Sequence, residues 1–216
     1  MNKKSFVEKL TELIFPENVS CYFCGKEFDY NESGRLCNRC KIEFERERKE
    51  GYSERREKVY SIFEYKDSVR QTVLRLKDSE KPYLAEVVAE FLKDAIEKEK
   101  LEADMIAYVP SSQAKIRMRG YDHMKRTANK LSKLTGLPVV KGLKRIKNGK
   151  DQTDVSEKER YENVKNVFRY EGNEVENKTL FLIDDVVTTG STLSACIDAL
   201  NINNPKKIIC ITFSAT

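Results

Sequence analysis

The stretch that decides the fold is Leu180–Leu200, which reads LFLIDDVVTTGSTLSACIDAL. It opens with four apolar residues, Leu180–Ile183, a run typical of a buried strand. Two carboxylates, Asp184 and Asp185, follow directly, and after them comes a turn of hydroxyl residues around one glycine. Apolar residues beyond the turn recur at helical spacing: Leu193, Cys196, Ile197 and Leu200. A strand, an acidic pair, a hydroxyl-rich turn and a helix in this order predict a site for a sugar phosphate.

Each part of this stretch suits one part of such a ligand. Backbone N–H groups at a helix N-terminus attract a phosphate, and Ser and Thr hydroxyls add donors. The turn supplies Thr188, Thr189, Gly190, Ser191 and Thr192, and its glycine lets the backbone approach the ligand closely. Adjacent carboxylates only accept hydrogen bonds when ionised, so they suit vicinal ribose hydroxyls or a hydrated Mg²⁺. The alternative is an ordinary strand–turn–helix whose polar residues serve only as helix caps.

Length and composition describe a solvated protein with a full core. The chain has 216 residues, of which 39% are hydrophobic and 35% charged. No transmembrane segment is expected, because no apolar run approaches the roughly 20 residues that span a bilayer. The start, MNKKSFVEKLTELIF, is basic, but glutamates interrupt its apolar positions and no small-residue cleavage site follows. It predicts a short amphipathic helix and a cytoplasmic protein with reduced thiols.

Positive charge is concentrated in one segment. Residues Ser111–Lys150 hold twelve Lys or Arg and a single acid, Asp122, so they carry +11 while the whole chain carries +5. Such a segment suggests an anionic ligand, either pyrophosphate, nucleic acid or both. Tyr108, Tyr121 and Tyr161 near this segment could stack on bases, with buried packing as the alternative for at least two of them. The alternative is a solvated surface beside a phosphate pocket.

Four of the six cysteines form two closely spaced pairs, Cys21-x2-Cys24 and Cys37-x2-Cys40. Two such pairs bring four thiolates to one tetrahedral point, the geometry that Zn²⁺ prefers. We therefore expect a structural Zn²⁺ that supplies folding energy to a short segment with few apolar residues. An iron–sulfur cluster or metal-free cysteines are the alternatives. The other two, Cys196 and Cys210, are predicted to be core thiols.

The rest of the chain alternates strands and helices. Strands are expected at Val59–Tyr65, Met105–Pro110 and Lys207–Phe213, with weaker candidates at Pro138–Val140 and Val167–Tyr170. Helices are expected at Ser68–Lys77, Pro82–Lys98 and about Tyr121–Leu134. The charged segment Lys41–Lys58 reads as a solvated helix or linker with a domain boundary near Gly51. This order predicts an α/β fold with a mostly parallel, doubly wound sheet and ligands at the carboxyl ends of its strands.

Two further segments belong beside the predicted phosphate site. Val109–His123 (VPSSQAKIRMRGYDH) is a strand end that runs into a basic turn. Ser111 and Ser112 would donate hydrogen bonds to a pyrophosphate there, and Arg117 and Arg119 would supply charge. Gln152–Asn163 (QTDVSEKERYEN) is polar and fits either a mobile lid or a surface loop.

The stretch around IDDVVTTGST resembles the phosphoribosyl pyrophosphate (PRPP) motif of type I phosphoribosyltransferases. The resemblance implies that Asp184 and Asp185 hold the ribose hydroxyls and that the loop Thr188–Thr192 holds the 5′-phosphate, with Mg²⁺ arriving on PRPP. A wider set of motifs resembles the ComF family of competence-associated proteins. These are LIFP before the paired cysteines, KDSVRQTVLRLK, VP…RGYDH and QT…S…R…N…F, followed by the PRPP motif.

The ComF resemblance implies an N-terminal zinc-ribbon module, residues 1–50, and a phosphoribosyltransferase-like domain, residues 51–216. It also implies a role in natural transformation, in which such proteins handle single-stranded DNA beside a helicase partner, inside the cell and possibly at the inner face of the membrane. Asp122-His123 stands where the family often has Asn-Gln. His123 is the only histidine; it suits a general base, although a lone histidine at a helix start is more often structural.

Three functional classes remain open from the sequence. The first is a PRPP-binding, DNA-associated competence protein, and the second is a conventional phosphoribosyltransferase that displaces pyrophosphate from PRPP. No segment plainly reads a purine or pyrimidine edge, so the sequence supports the donor side of that reaction and leaves the acceptor open. The third class is an assembly adaptor with a vestigial site.

Overall fold

A computed structural model describes residues 20–28, 34–54, 57–78, 81–146 and 167–216. The amphipathic helix predicted near the N-terminus and the polar stretch Gln152–Asn163 lie outside these ranges. Two compact units are present, Met1–Arg46 and Glu47–Thr216. The assignment of a zinc module to residues 1–50 and a phosphoribosyltransferase-like domain to residues 51–216 stays a prediction.

The first unit is built around its cysteines. The backbone N–H of Gly25 donates to the Cys21 carbonyl (2.8 Å), and Gly25 and Gly34 both have positive φ angles, 78° and 96°. These left-handed conformations are ones that glycine adopts without strain, as expected for tight turns beside the cysteine pairs. Helix α1, Asn38–Glu47, then begins, and Phe44 on it packs edge-on against Phe23 with 5.4 Å between the ring centroids.

A five-stranded, mostly parallel sheet forms the centre of the second unit. Its order is β1-β2-β7-β6-β3; β1 pairs antiparallel with β2, and the other neighbours are parallel. A two-stranded antiparallel ribbon, β4-β5, lies apart from this sheet. The strands are β1 Arg48–Glu54, β2 Lys58–Glu64, β3 Met105–Tyr108, β4 Leu143–Arg145, β5 Phe168–Tyr170, β6 Thr179–Val187 and β7 Lys207–Ala215. The predicted mostly parallel α/β fold is confirmed.

Helices cover both faces of the sheet. The helices of this unit are α2 Asp67–Lys77, α3 Leu84–Lys98, α4 Gln113–Arg119, α5 His123–Thr135 and α6 Ser191–Asn201. Apolar residues of α6 share a buried cluster with Leu180, Leu182 and Cys210 of the sheet. Side chains alternate between the faces of a strand, and Phe213 of β7 packs instead near Phe91 of α3, with 6.0 Å between the ring centroids.

Helix α2 is positioned by a buried acid. The Glu47 carboxylate is 7% exposed and accepts hydrogen bonds from the backbone N–H groups of Ser68 (3.1 Å) and Val69 (2.9 Å). These are N–H groups of the first turn, which lack partners within the helix. The carboxylate therefore caps α2 and fixes the direction of a helix whose last residue is Lys77.

Most predicted elements lie within a few residues of the observed ones, with three differences. The segment Lys41–Lys58, predicted as a solvated helix or linker, is helical to Glu47, and Gly51 lies inside strand β1. Part of Val109–His123, predicted as a basic turn, is helix α4, which Ser112 caps by accepting from the Lys115 N–H (3.3 Å). Pro138–Val140 contributes only an isolated bridge between Val139 and Ile106.

No helix in the described ranges is both long enough and apolar enough to cross a bilayer.

Candidate functional site

A cavity of about 230 Å³ lies at the carboxyl ends of β3 and β6. Parallel strands end there, and the side chains that follow them converge at one edge of the sheet. Four of the described residues that line it are cationic, Lys77, Lys115, Arg119 and Arg145. The others are Val109, Pro110, Ser111, His123, Asp184, Asp185, Val186 and Thr192. The cavity therefore combines a cationic wall with the acidic pair that the sequence singled out.

The two adjacent carboxylates have different surroundings. The Asp185 side chain is 5% exposed; its Oδ2 lies 2.7 Å from His123 Nε2 and 2.9 Å from Lys77 Nζ. Its Oδ1 lies 3.0 Å from the same Lys77 Nζ. Asp184 is only partly buried, and its Oδ1 accepts the backbone N–H of Asp185 (2.9 Å). Successive side chains of a strand point to opposite faces, so only one carboxylate of the pair enters the ion network with Lys77 and His123.

The electrostatics of the pair follow from these partners. Burial opposes the ionisation of Asp185, but the Lys77 ammonium and the hydrogen bond from His123 outweigh it and hold the pKa of Asp185 below its usual range. Burial and the neighbouring Asp185 charge raise the pKa of Asp184 well above its usual range. For Lys77, burial lowers the pKa, but the Asp185 carboxylate more than offsets this and raises it.

The loop after β3 is tied to the start of α5. Asp122 caps that helix: its Oδ1 accepts from the N–H groups of Met124 (3.0 Å) and Lys125 (3.2 Å). Its Oδ2 also accepts the backbone N–H of Ser111 (3.0 Å), and Ser111 Oγ lies 3.2 Å from His123 Nδ1. Ser111 is thus fixed by two consecutive residues of the RGYDH segment.

The loop Thr188–Gly190 connects β6 to α6. Gly190 occupies the N-cap position with φ 80° and has no side chain that could cap the helix, but Thr189 Oγ1 accepts the backbone N–H of Ser191 (3.4 Å). Thr189 Oγ1 lies 2.9 Å from Ser191 Oγ, and Ser191 is buried. The first N–H groups of a helix need partners from outside it, so this N-terminus retains donors for an anion.

The predicted site residues are brought together only in part. Asp184, Asp185, Thr192, Ser111 and Arg119 line the cavity. Thr188, Thr189, Gly190 and Ser191 form the turn beside it, and Ser112 is buried as the cap of α4. Arg117 is exposed, and the cavity lining given above does not include it. The ligand-binding roles of all these residues stay predictions, because their positions alone do not test them.

Sequence reasoning missed three cationic residues of the cavity, Lys77, Lys115 and Arg145. Lys115 was passed over inside the basic segment, although it lies two positions before Arg117. Lys77 ends a predicted helix, and nothing local distinguishes it from other basic residues at helix ends. Arg145 belongs to β4, a strand whose three residues carry too little pattern to be predicted.

A larger groove of about 650 Å³ shares Pro110, Ser111 and Arg145 with the cavity. The described lining includes one acid, Asp122, and six basic residues: Lys125, Arg126, Lys130, Lys133, Lys144 and Arg145. Two of these bases are paired, Lys130 with Glu86 and Lys144 with Glu171. Tyr108 and Tyr121 also line the groove. Six basic residues of the segment predicted from the sequence therefore line one groove beside the cavity.

The four cysteines of the first unit meet at one point. Their Sγ atoms all lie within 4.8 Å of one another, and Cys24 Sγ is 3.8 Å from Cys37 Sγ. Four Zn–S bonds of about 2.3 Å in a tetrahedron place the sulfurs roughly 3.8 Å apart. The cluster therefore fits a metal such as zinc. Cys196 and Cys210 lie elsewhere and are buried, as predicted for core thiols.

We expect Asp184→Asn to stabilise the protein more at pH 8 than at pH 5. In the unfolded chain Asp184 ionises near pH 4, whereas in the folded protein its raised pKa delays ionisation, so its contribution to stability falls as the pH rises above about 4. The amide removes this cost. The extra gain at pH 8 should reach at least about 1 kcal/mol in the free energy of unfolding. This lower bound is smaller than the free energy of about 1.4 kcal/mol that corresponds to a shift of one pKa unit.

Urea denaturation at the two pH values measures this difference. Asp198→Asn, at an exposed position on α6, is the matched control and should show no such pH dependence. An Asp184→Asn protein whose stability relative to wild type is the same at both pH values would contradict the assignment.

The chain is similar to known proteins over part of its length. Residues 116–215 match the family model described as phosphoribosyl transferase domain. Competence protein F of Haemophilus influenzae is 37% identical over 79 residues, which cover 35% of this chain and 34% of that protein. The match thus spans about a third of the length of that relative.

Solved structures with similar chains include two enzymes of PRPP chemistry. A glutamine PRPP amidotransferase from B. subtilis, complexed with ADP and GMP, is 20% identical with a TM-score of 0.42, covering 59% of this chain and 26% of that chain. A hypoxanthine phosphoribosyltransferase from Staphylococcus aureus is 14% identical with a TM-score of 0.36, covering 59% and 61%. The phosphoribosyl transferase match, the similarity to competence protein F and the four-cysteine cluster together confirm the resemblance of this chain to the ComF family.

Proposed function

We propose that the cavity at the carboxyl edge of the sheet binds PRPP. The observation that carries the proposal is the composition of the cavity: four cationic side chains line it together with the partly buried carboxylate Asp184, and Thr192 in the first turn of α6 lines it as well. A ligand that suits all three must carry both phosphates and hydroxyls. PRPP has a 5′-phosphate, two ribose hydroxyls and a pyrophosphate.

The 5′-phosphate would bind at the turn before α6. Gly190 in its left-handed conformation turns the chain into the helix, and the N–H groups of the first turn point outward with the positive end of the helix dipole. Thr188, Thr189, Ser191 and Thr192 would add hydroxyl donors.

The ribose hydroxyls would bind at Asp184. Because its neighbour Asp185 already accepts from Lys77 and His123, Asp184 is the carboxylate of the pair with capacity left for a ligand. Hydroxyl donors and the Mg²⁺ that accompanies PRPP would both favour its ionised form, which the free protein disfavours. Ligand binding would therefore relieve an electrostatic cost present in the free protein.

The pyrophosphate would bind at the cationic wall. Arg119 is the strongest candidate, because its Nε is buried and has no hydrogen-bond partner among the described residues. Lys115 and Arg145 line the same cavity. Ser111 and the backbone around it would donate hydrogen bonds to the pyrophosphate. Ser112 would contribute indirectly, because it caps α4, and Arg117 would attract the pyrophosphate from the protein surface at longer range.

Calorimetry with PRPP–Mg²⁺ tests this proposal. We expect wild type to bind, and Asp184→Asn to lose roughly tenfold or more in affinity, because a charge-assisted contact contributes about 1.5–3 kcal/mol. Asp198→Asn, which changes an exposed acid on the same α6 whose N-terminus faces the phosphate, should bind as wild type does. If the folded wild-type protein binds no PRPP, the proposal is wrong and the turn before α6 has only a structural role.

An active phosphoribosyltransferase is the alternative form of this function. An acceptor nucleophile would attack C1 of PRPP, the C1–O bond to pyrophosphate would break, and pyrophosphate would leave with the electron pair while the acceptor loses a proton. The cationic wall would stabilise the departing charge. Release of pyrophosphate with a panel of nucleobases, in the protein that binds PRPP, separates an enzyme from a sensor.

We also propose that the basic groove holds single-stranded DNA, which is what the resemblance to the ComF family implies. Exposed Lys125, Arg126 and Lys133 would neutralise phosphates, and Tyr108 and Tyr121 line the same groove and would stack on bases. In this role the protein would work in the cytoplasm beside a competence helicase, and its partners would bring it to the inner face of the membrane.

Salt dependence tests the groove. We expect Lys125→Ala/Lys133→Ala to weaken oligothymidylate binding and to reduce the slope of log affinity against log salt by about 1.4, since each phosphate contact on a single strand contributes roughly 0.7. Lys206→Ala/Lys207→Ala removes two exposed lysines at the start of β7, the opposite edge of the sheet, and should leave the slope unchanged. If both double variants lose the same amount of affinity for the oligothymidylate, the DNA does not bind specifically in the basic groove.

We propose that the four-cysteine cluster binds zinc in a structural role. All four ligands come from protein, so no position stays open for a substrate. Elemental analysis should find one zinc per chain, and Cys37→Ser should lose it, because three thiolates no longer close the tetrahedron. Cys196→Ala, at a buried thiol outside the cluster, should keep its zinc. Retention of zinc by Cys37→Ser, or iron in its place, would contradict the proposal.

A further inference from the structure

His123 connects the two sides of the cavity. It is the first residue of α5 and is 6% exposed. Its Nε2 lies 2.7 Å from Asp185 Oδ2. Its Nδ1 lies 3.2 Å from Ser111 Oγ and 3.5 Å from Arg119 Nη1. The imidazole thus joins a carboxylate at the end of β6 to a hydroxyl and a guanidinium on the segment after β3.

These partners fix the tautomer of the ring. The Asp185 carboxylate only accepts hydrogen bonds, so Nε2 carries a proton and donates it. The guanidinium of Arg119 only donates, so Nδ1 faces it as an acceptor and carries no proton. A proton on Nδ1 would point a positive imidazolium at a positive guanidinium. The network therefore favours a ring with a proton on Nε2 and with Nδ1 as an acceptor.

With this tautomer His123 has no free nitrogen to take a proton from a substrate. Both nitrogens have protein partners, and the ring is almost completely buried. What the ring can do is hold its partners in place. The single hydroxyl proton of Ser111 can go to Asp122 Oδ1 (3.3 Å) or to Nδ1, and Nδ1 can also accept from Arg119. Arg119 keeps a buried Nε with no partner among the described residues. That N–H remains available to an anion in the cavity.

We propose that His123, oriented by Asp185, is a positioning residue that holds Ser111 and Arg119 as the donors for the pyrophosphate end of the ligand. Asp185 then acts at this end through His123, and Asp184 alone meets the ribose hydroxyls. The inference rests on the proposed binding of PRPP and divides the acidic pair between the two ends of the ligand. Its consequence is selective: loss of His123 should weaken ligands that contain pyrophosphate and spare ribose 5-phosphate.

The wild-type protein allows a direct test, because His123 is its only histidine. Nitrogen-15 NMR of untagged protein should show a proton on Nε2 and none on Nδ1. Addition of inorganic pyrophosphate should shift the Nδ1 resonance as Ser111 and Arg119 turn toward the ligand, and ribose 5-phosphate should leave it unchanged. A proton on Nδ1, or equal responses to both ligands, would overturn the proposal.

Two variants separate positioning from packing. His123→Phe keeps the ring volume and removes both nitrogens, and we expect about a tenfold loss in affinity for PRPP and pyrophosphate, with ribose 5-phosphate within about twofold of wild type. His123→Gln keeps an N–H for Asp185 and an oxygen that can accept from Arg119 or Ser111, so it should recover most of the loss. In an Arg119→Gln background His123→Phe should add little, because both changes act on one contact.

The outcomes distinguish this inference from the proposed function. If wild type binds PRPP but His123→Phe weakens all three ligands equally, the function stands and the positioning role is wrong. If wild type binds pyrophosphate with the expected His123 response but binds no ribose 5-phosphate and no PRPP, the positioning role stands and the function is wrong. Should His123→Phe fail to fold, the NMR result on wild type decides.

Discussion

The Asp185 carboxylate is 5% exposed, and an ionised carboxylate is costly to bury unless charged and hydrogen-bonded partners compensate it. The partners of the carboxylate come from two separate parts of the chain: Lys77 from the end of α2 and His123 from the start of α5. Ser214 of β7 holds the backbone of the same residue, because its Oγ donates to the Asp185 main-chain carbonyl (3.1 Å). Removal of Lys77 or of His123 would leave the buried carboxylate with too few charged or hydrogen-bonded partners to offset the cost of its burial. The carboxyl edge of the sheet is therefore organised around a buried anion that the protein's own groups compensate.

Three consecutive residues carry much of this organisation. Tyr121 Oη donates to the carbonyl of Leu76 (2.5 Å), Asp122 accepts from Ser111, and His123 donates to Asp185. The same short segment thus contacts the end of α2, the loop after β3 and the end of β6. Because each contact goes to a different element, a shift of this segment would move the cationic wall, the serine loop and the acidic pair together. The walls of the cavity are therefore linked to one another by hydrogen bonds within the protein.

Local pattern was enough to predict the strand Leu180–Ile183, the turn with Gly190, the strand at Lys207 and the meeting of the four cysteines. The different roles of Asp184 and Asp185 were not predicted from it. Strand alternation says that the two side chains diverge, but which one is buried depends on Lys77, which is 108 residues away in the chain. Helix α4 was also missed, because its seven residues include none that is buried and so show no apolar period. Strand β1 was taken for a linker because an edge strand with a polar sequence resembles one.

The position of β7 has a consequence for how the domain folds. It pairs with β2 on one side and with β6 on the other. Cys210 of β7, for example, lies between Val59 of β2 and Leu182 of β6. Such pairings close very long loops and form slowly. During synthesis β2 and β6 have left the ribosome while the strand that joins them has not, and each offers an unpaired edge and an uncovered apolar face. Cooperative closure of the sheet is thus delayed until its last strand emerges, and the nascent chain depends on the solubility of its many charged residues, or on chaperones, until that moment.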